Sequence, residues 1–167
     1  MGIREKTAND LKDAFAGESQ ANRKYLAFAK KADAEGYAQA AKLFRAAAES
    51  ETVHAHKHLD FIGGVGDTQM NLAAAVDGET YEYEKMYPQF MADADAAGDD
   101  DVAQYIKFVA QVEHEHANLY QEIADSLGNN DEIAYFVCGY CGHVHSGEAP
   151  DHCPVCGAPK TKFKEIL

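Results

Sequence analysis

The residues with the most chemistry in this chain fall into two sets. The first is Cys138-Gly-Tyr-Cys141-Gly and Cys153-Pro-Val-Cys156-Gly, two matched knuckles separated by eleven residues. Four thiolates at this spacing make a tetrahedral all-sulfur site, suited to zinc or to a single iron. A disulfide or free-thiol reading is poor, because a segment of about thirty residues with so little core needs a metal to fold. The second set is Glu18, Glu51-Thr-Val-His54, Glu79 and Glu113-His-Glu-His116. It repeats: Glu18 to Glu51 is 33 residues, Glu79 to Glu113 is 34, and Ala16-Gly-Glu18-Ser19 is echoed by Asp77-Gly-Glu79-Thr80. Each half of the repeat offers one Glu and then one Glu-x-x-His.

Those groups must be carried by helices. Up to about residue 127 apolar residues recur at three- and four-residue steps, with no strand-like alternation. The pattern predicts helices over 8–35, ended by Gly36, and over 38–62, closed by Gly63 and Gly64. A third covers 70–97, where Pro88 should bend it or remove a hydrogen bond. After Gly98 a fourth runs over 99–127, with Asp99 or Asp100 as its N-cap. Beyond Gly128-Asn129-Asn130 the composition turns to Cys, Gly, Pro and His. This divides a helical domain, 1–130, from a cysteine domain, 131–167.

On these helices the acids sit where apolar residues are expected, one or two turns from aromatic side chains. A single such Glu would be read as paired with Lys or Arg, and a single His as a satisfied core residue. Collectively that reading fails, because no stripe carries Lys or Arg at the level of the acids. Burying several unpaired carboxylates in one core is too costly, so a cation is required. One Glu from each of two helices with Glu-x-x-His from each of the other two is the ligand pattern of ferritin-like di-iron or di-manganese proteins. The i,i+3 spacing turns both side chains of each motif inward. His56, His114 and Glu115 point off the stripe and read as solvated, as do the surface charges Glu49 and Glu84. His58 reads as a core histidine, and His143, His145 and His152 as exposed-loop residues. Gly17 and Gly78, unfavourable in mid-helix, imply a close approach there.

Hydrophobic residues make up 46% and charged residues 26%, which places the chain with globular rather than disordered proteins. A formal net charge of −13 argues against nucleic acid and anionic membrane as partners. No apolar leader or stretch of membrane-spanning length is present, so the cytoplasm is the expected location.

Taken together the chain resembles the rubrerythrins over nearly its whole length. The residues that carry the likeness are Gly-Glu-Ser, Gly-Glu-Thr-Tyr-Glu-Tyr-Glu-Lys-Met-Tyr-Pro, both Glu-x-x-His motifs and the cysteine tail. The resemblance implies an all-α ferritin-like four-helix bundle followed by a rubredoxin-like domain. It implies two non-haem irons held by Glu18, Glu51, His54, Glu79, Glu82, Glu113 and His116, with Glu51 and Glu113 bridging. Glu82, the family's additional carboxylate, has Ala21 at the matching place in the first half of the repeat. In the family one iron moves between this Glu and the second helix's His, so Glu82 and His54 would exchange. Tyr25 and Tyr87 match tyrosines that flank the site. Cys138, Cys141, Cys153 and Cys156 would hold a third iron, with zinc the other metal their chemistry accepts. Gly139-Tyr140 departs from the Pro-containing pair more usual in the first knuckle.

The implied activity is reduction of hydrogen peroxide to water in oxidative stress defence. Electrons would come from a rubredoxin or a NAD(P)H-dependent reductase and pass through the four-cysteine iron. Two ferrous ions hold the two electrons that O–O cleavage needs, and a one-electron centre refills them in turn. The alternatives are a ferroxidase or iron-handling protein, a zinc-ribbon binding module on a structural bundle, and reduction of dioxygen. Bundle geometry adds an expectation about assembly. The second and third helices must run parallel, a span of roughly 30 Å, while residues 63–69 reach at most about 28 Å. A homodimer in which each first hairpin pairs with the partner's second hairpin resolves this. The fourth helix runs roughly 17 Å past its acids, which points to the cysteine domain serving a partner's site.

Overall fold

The computed structural model describes residues 3–167, in two compact units. The first ends at Gly66 and is a helical hairpin of α1 (Glu5–Ala34) and α2 (Ala38–Phe61). Its seam is built on small side chains: Ala29, Ala32, Ala41, Ala48 and Ala55 are buried, which lets the two backbones approach closely. A polar tie crosses the seam, where the Asn22 amide donates to the Ala48 carbonyl at 2.7 Å and the Thr52 hydroxyl at 2.8 Å. Arg45 reaches Asp33 at 2.7 Å on the exposed side.

The second unit, Asp67–Leu167, holds α3 (Thr68–Tyr81), a π-helical turn (Glu82–Met86), α4 (Tyr87–Ala97) and α5 (Asp100–Asp125). Asp67 caps α3, accepting from the Met70 amide at 2.8 Å. The helix expected over 70–97 is therefore interrupted. The Tyr87 amide bonds back to the Glu82 carbonyl, five residues away, just before Pro88. Proline cannot donate, and the wider turn accommodates it within the helix. Asp99 does precede α5, but its side chain makes no capping bond.

After α5 the chain forms a three-stranded antiparallel sheet in the order β2 (Val144–Ser146), β1 (Tyr135–Cys138), β3 (Phe163–Ile166). Val112 of α5 is buried in one cluster with Cys138, Cys141 and Cys153, flanked by Phe108 and Phe163. Among the described residues no helix is long and apolar enough to cross a membrane.

Candidate metal centres

The four cysteines are brought together by two near-identical turns. In the first, the Gly142 amide donates to the Cys138 carbonyl at 3.0 Å; in the second, the Gly157 amide donates to Cys153 at 2.9 Å. Gly142 and Gly157 adopt φ of 87° and 75°, a conformation costly for any residue with a Cβ. The Sγ atoms of Cys138 and Cys156 lie 3.8 Å apart and those of Cys141 and Cys153 3.6 Å, too long for a disulfide. A tetrahedron with metal–sulfur bonds of about 2.3 Å has edges of about 3.8 Å, so the cage already has the size of one metal ion. Burial pushes the Cys141 and Cys156 thiols up. At Cys138 burial acts the same way but is outweighed by the Cys141 and Tyr140 amides, and the net shift is down.

The carboxylates form two clusters, one per unit. Glu18, Glu51 and His54 each present an atom within 4.8 Å of the others, and so do Glu79, Glu113 and His116. The two clusters have matching internal geometry. His54 Nδ1 is 3.0 Å from Glu51 and 3.9 Å from Glu18. His116 Nδ1 is 2.8 Å from Glu113 and 4.0 Å from Glu79. Their exposure differs: the His54 side chain is 52% accessible and that of His116 22%.

Among the described residues these carboxylates have no Lys or Arg ion-pair partner, only the two histidines. The cost shows in the acid–base balance. Glu79 is pushed up to about 7, first by burial and then by the negative charge of Glu113. Glu82, at the start of the π turn, is raised by the same two causes in the same order. His116 is raised by its hydrogen bond to Glu113, against the effect of burial, and the Gly142 carbonyl pulls the same way. Its Nε2 is buried without a hydrogen bond of good geometry. A donor set of hard oxygens with one imidazole, uncompensated by protein cations, fits a divalent metal in each cluster.

Of the flanking residues, Tyr87 is raised first by burial and then by Glu82 and Glu113, so its phenol stays protonated beside them. Tyr25 packs in an aromatic group with Phe28 and Phe44, at 6.2 and 6.3 Å. Several side chains depart from expectation. His143 is not in an exposed loop: it is 6% accessible, and its Nδ1 bonds to Glu115, a residue read from the sequence as solvated. His114 is exposed, as expected, and meets Tyr83 edge-on at 4.7 Å. His58 is half-buried, and its Nδ1 has no partner in the structure. A Cβ added to Gly17 or Gly78 would meet nothing within 4 Å, so neither records a close approach within the described chain.

A family model described as Rubrerythrin matches residues 9–124, and one described as Rubrerythrin, rubredoxin-like domain, matches 136–164. The chain belongs to the rubrerythrin family. It is 36% identical to the rubrerythrin of Porphyromonas gingivalis over 96% of this chain and 90% of that one. Rubrerythrin-1 of Clostridium acetobutylicum is 35% identical over 97% and 94%. A solved structure of the partially reduced state of nigerythrin, 30% identical, covers 99% of this chain and 89% of that chain with a TM-score of 0.59. The rubrerythrin fold is the helical bundle with a small four-cysteine domain anticipated from the sequence. Its cofactors, a di-iron centre and a rubredoxin-like iron, match the carboxylate–histidine clusters and the four-cysteine cage.

Proposed function

We propose that this chain reduces hydrogen peroxide to water. Rubrerythrins are di-iron oxidoreductases that act on peroxide in oxidative stress defence, with rubredoxin-type donors. The observation that carries the reading for this chain is the pairing of two matched Glu/Glu-x-x-His clusters with a thiolate cage of single-ion size. Glu18, Glu51, Glu79, Glu82, Glu113, His54 and His116 would hold two irons, and the four cysteines a third. When bound, the irons supply electrons one at a time from the cysteine site and as a pair at the carboxylate site. Hydrogen peroxide takes up two electrons and two protons, its O–O bond breaks, and two waters result.

The protein's own groups have definable parts in this. The carboxylates hold the positive charge of the metals, and each histidine stays on its helix face through the Glu three residues before it. Glu82 and His54 would be the pair of side chains that exchange at one iron. Tyr87 keeps its Oη proton beside Glu82 and Glu113 and can donate a hydrogen bond to bound peroxide. The external donor is a rubredoxin or a NAD(P)H-dependent reductase.

Each unit carries only half a ligand set, so a complete site needs both hairpins. From the level of Glu51 to Phe61 and from Thr68 to Glu79 is roughly 31 Å of helix in total. The seven steps from Phe61 to Thr68 reach about 25 Å. The start of the link is moreover curled back, with Gly63 and Gly64 amides bonded to Asp60 and Leu59. This supports a homodimer whose hairpins are exchanged.

Steady-state peroxide consumption with a reductase-coupled donor tests the activity. Glu113→Ala is expected to abolish turnover while the thiolate–iron colour remains. Cys153→Ser is expected to abolish colour and donor-supported turnover while the reduced bundle still consumes one equivalent of peroxide. Turnover unchanged in both would refute the reading.

A further inference from the structure

We infer that Glu115 and His143 form a latch that docks the cysteine domain on α5 of its own chain. The inference rests on the proposed relay, because it concerns how the donor centre is held against the acceptor helix. The contact lies wholly within the second unit. Glu115 Oε2 faces His143 Nδ1, and since an ionised carboxylate can only accept, the ring nitrogen donates. Gln111 Nε2 donates to the other oxygen, Glu115 Oε1, at 3.3 Å. Both carboxylate oxygens are thus engaged, one by its own helix and one by the cysteine domain.

His143 is a suitable fixed point. Its backbone carbonyl accepts from the Cys138 amide at 2.9 Å, so the metal knuckle sets where the ring projects. The ring is walled by Phe163 at 6.3 Å and His145 at 5.7 Å. Around the bond lies an apolar seam: Val112 and Phe108 pack in the cluster that contains Cys138, Cys141 and Cys153. Tyr105 meets Tyr140 edge-on at 6.4 Å further along the helix. A hydrogen bond to a charged group at the margin of an apolar contact fixes orientation more than it adds affinity. What it fixes here is the Cys141-Gly142 turn beside His116 of the same chain.

Docking in this way refines the expectation drawn from the length of α5, since in an exchanged-hairpin dimer the site beside α5 is completed by the partner's first hairpin. The helix does run past its acids, but the chain returns and seats the cysteines back at their level. In an exchanged-hairpin dimer the cysteine domain then serves the site that its own α5 helps to build. Glu115 and His143 are positioning residues; neither belongs to the proposed ligand sets.

Backbone ¹⁵N relaxation on the full-length protein loaded with zinc throughout tests the latch without any turnover. In the wild type, residues 135–166 are expected to tumble with α5. In Glu115→Ala the same residues should reorient independently, with apparent order parameters falling below about 0.6. Glu115→Gln, whose amide oxygen can still accept from Nδ1, should restore most of the docking. In the iron-loaded protein, Glu115→Ala should slow the peroxide-driven return of the oxidised thiolate–iron band by about tenfold without moving that band or slowing oxidation of the bundle. A cysteine domain that stays rigid with α5 in Glu115→Ala, or is already independent in the wild type, would overturn the latch. A wild-type bundle that peroxide does not oxidise would instead refute the proposed function, and the relaxation data would then decide the latch alone.

Discussion

At the scale of single residues, the protein concentrates negative charge that it does not itself neutralise. Without metal, Glu79 sits at about 7 because of burial and Glu113, and His116 is raised by its bond to Glu113. Both must lose protons to become ligands. Below about pH 7 the metal-free protein holds the Glu79 proton, and a metal has to displace it. Affinity of the second cluster for a divalent probe such as manganese should therefore rise from pH 6 to pH 8, with proton release at the lower pH. Calorimetry in buffers of different ionisation enthalpy measures this. An affinity flat across the range would show that protonation of the cluster does not oppose binding. The ligand candidates were legible because residues of one type recurred at one spacing in two places. Glu115 and His143 were not, since a carboxylate beside a Glu-x-x-His motif and a histidine after a knuckle look solvent-facing until packing brings them together.

At the scale of elements, helix existence followed from the apolar period, but the break in the third helix did not. A π turn adds one residue to a helical turn without any compositional mark, and Pro88 was its only trace. The N-cap at Asp67 was hidden for a related reason: it lies three residues before the start of the helix expected from the apolar stripe. The knuckles were plain because their chemistry and their geometry use the same residues. Gly157→Ala should cost the cysteine domain about 1–2 kcal/mol, because alanine cannot adopt φ of 75° without strain. Faster loss of the thiolate–metal band under a chelator would register it. An unchanged rate would mean that the turn relaxes to a conformation alanine accepts.

At the scale of the molecule, the repeat visible in the sequence becomes two half-sites in two units, and assembly decides whether they form one centre. Exchange of hairpins makes a distinctive prediction. Glu51→Ala damages the first hairpin and Glu113→Ala the second, so each variant alone should be inactive. Co-refolded in equal amounts they should recover about a quarter of wild-type activity, because half the dimers are mixed and each has one intact site. No recovery, with mixed dimers shown to form, would exclude the exchange.

The most direct test of the central claim is a single turnover. The iron-loaded protein is reduced without oxygen, mixed with one equivalent of hydrogen peroxide, and followed at the thiolate–iron absorbance. Return of the oxidised band, faster than with the same amount of dioxygen, is the predicted result, since bundle and cysteine centre then act as one peroxide reductase. A band that never returns, or returns slowly and equally with either oxidant, would contradict it.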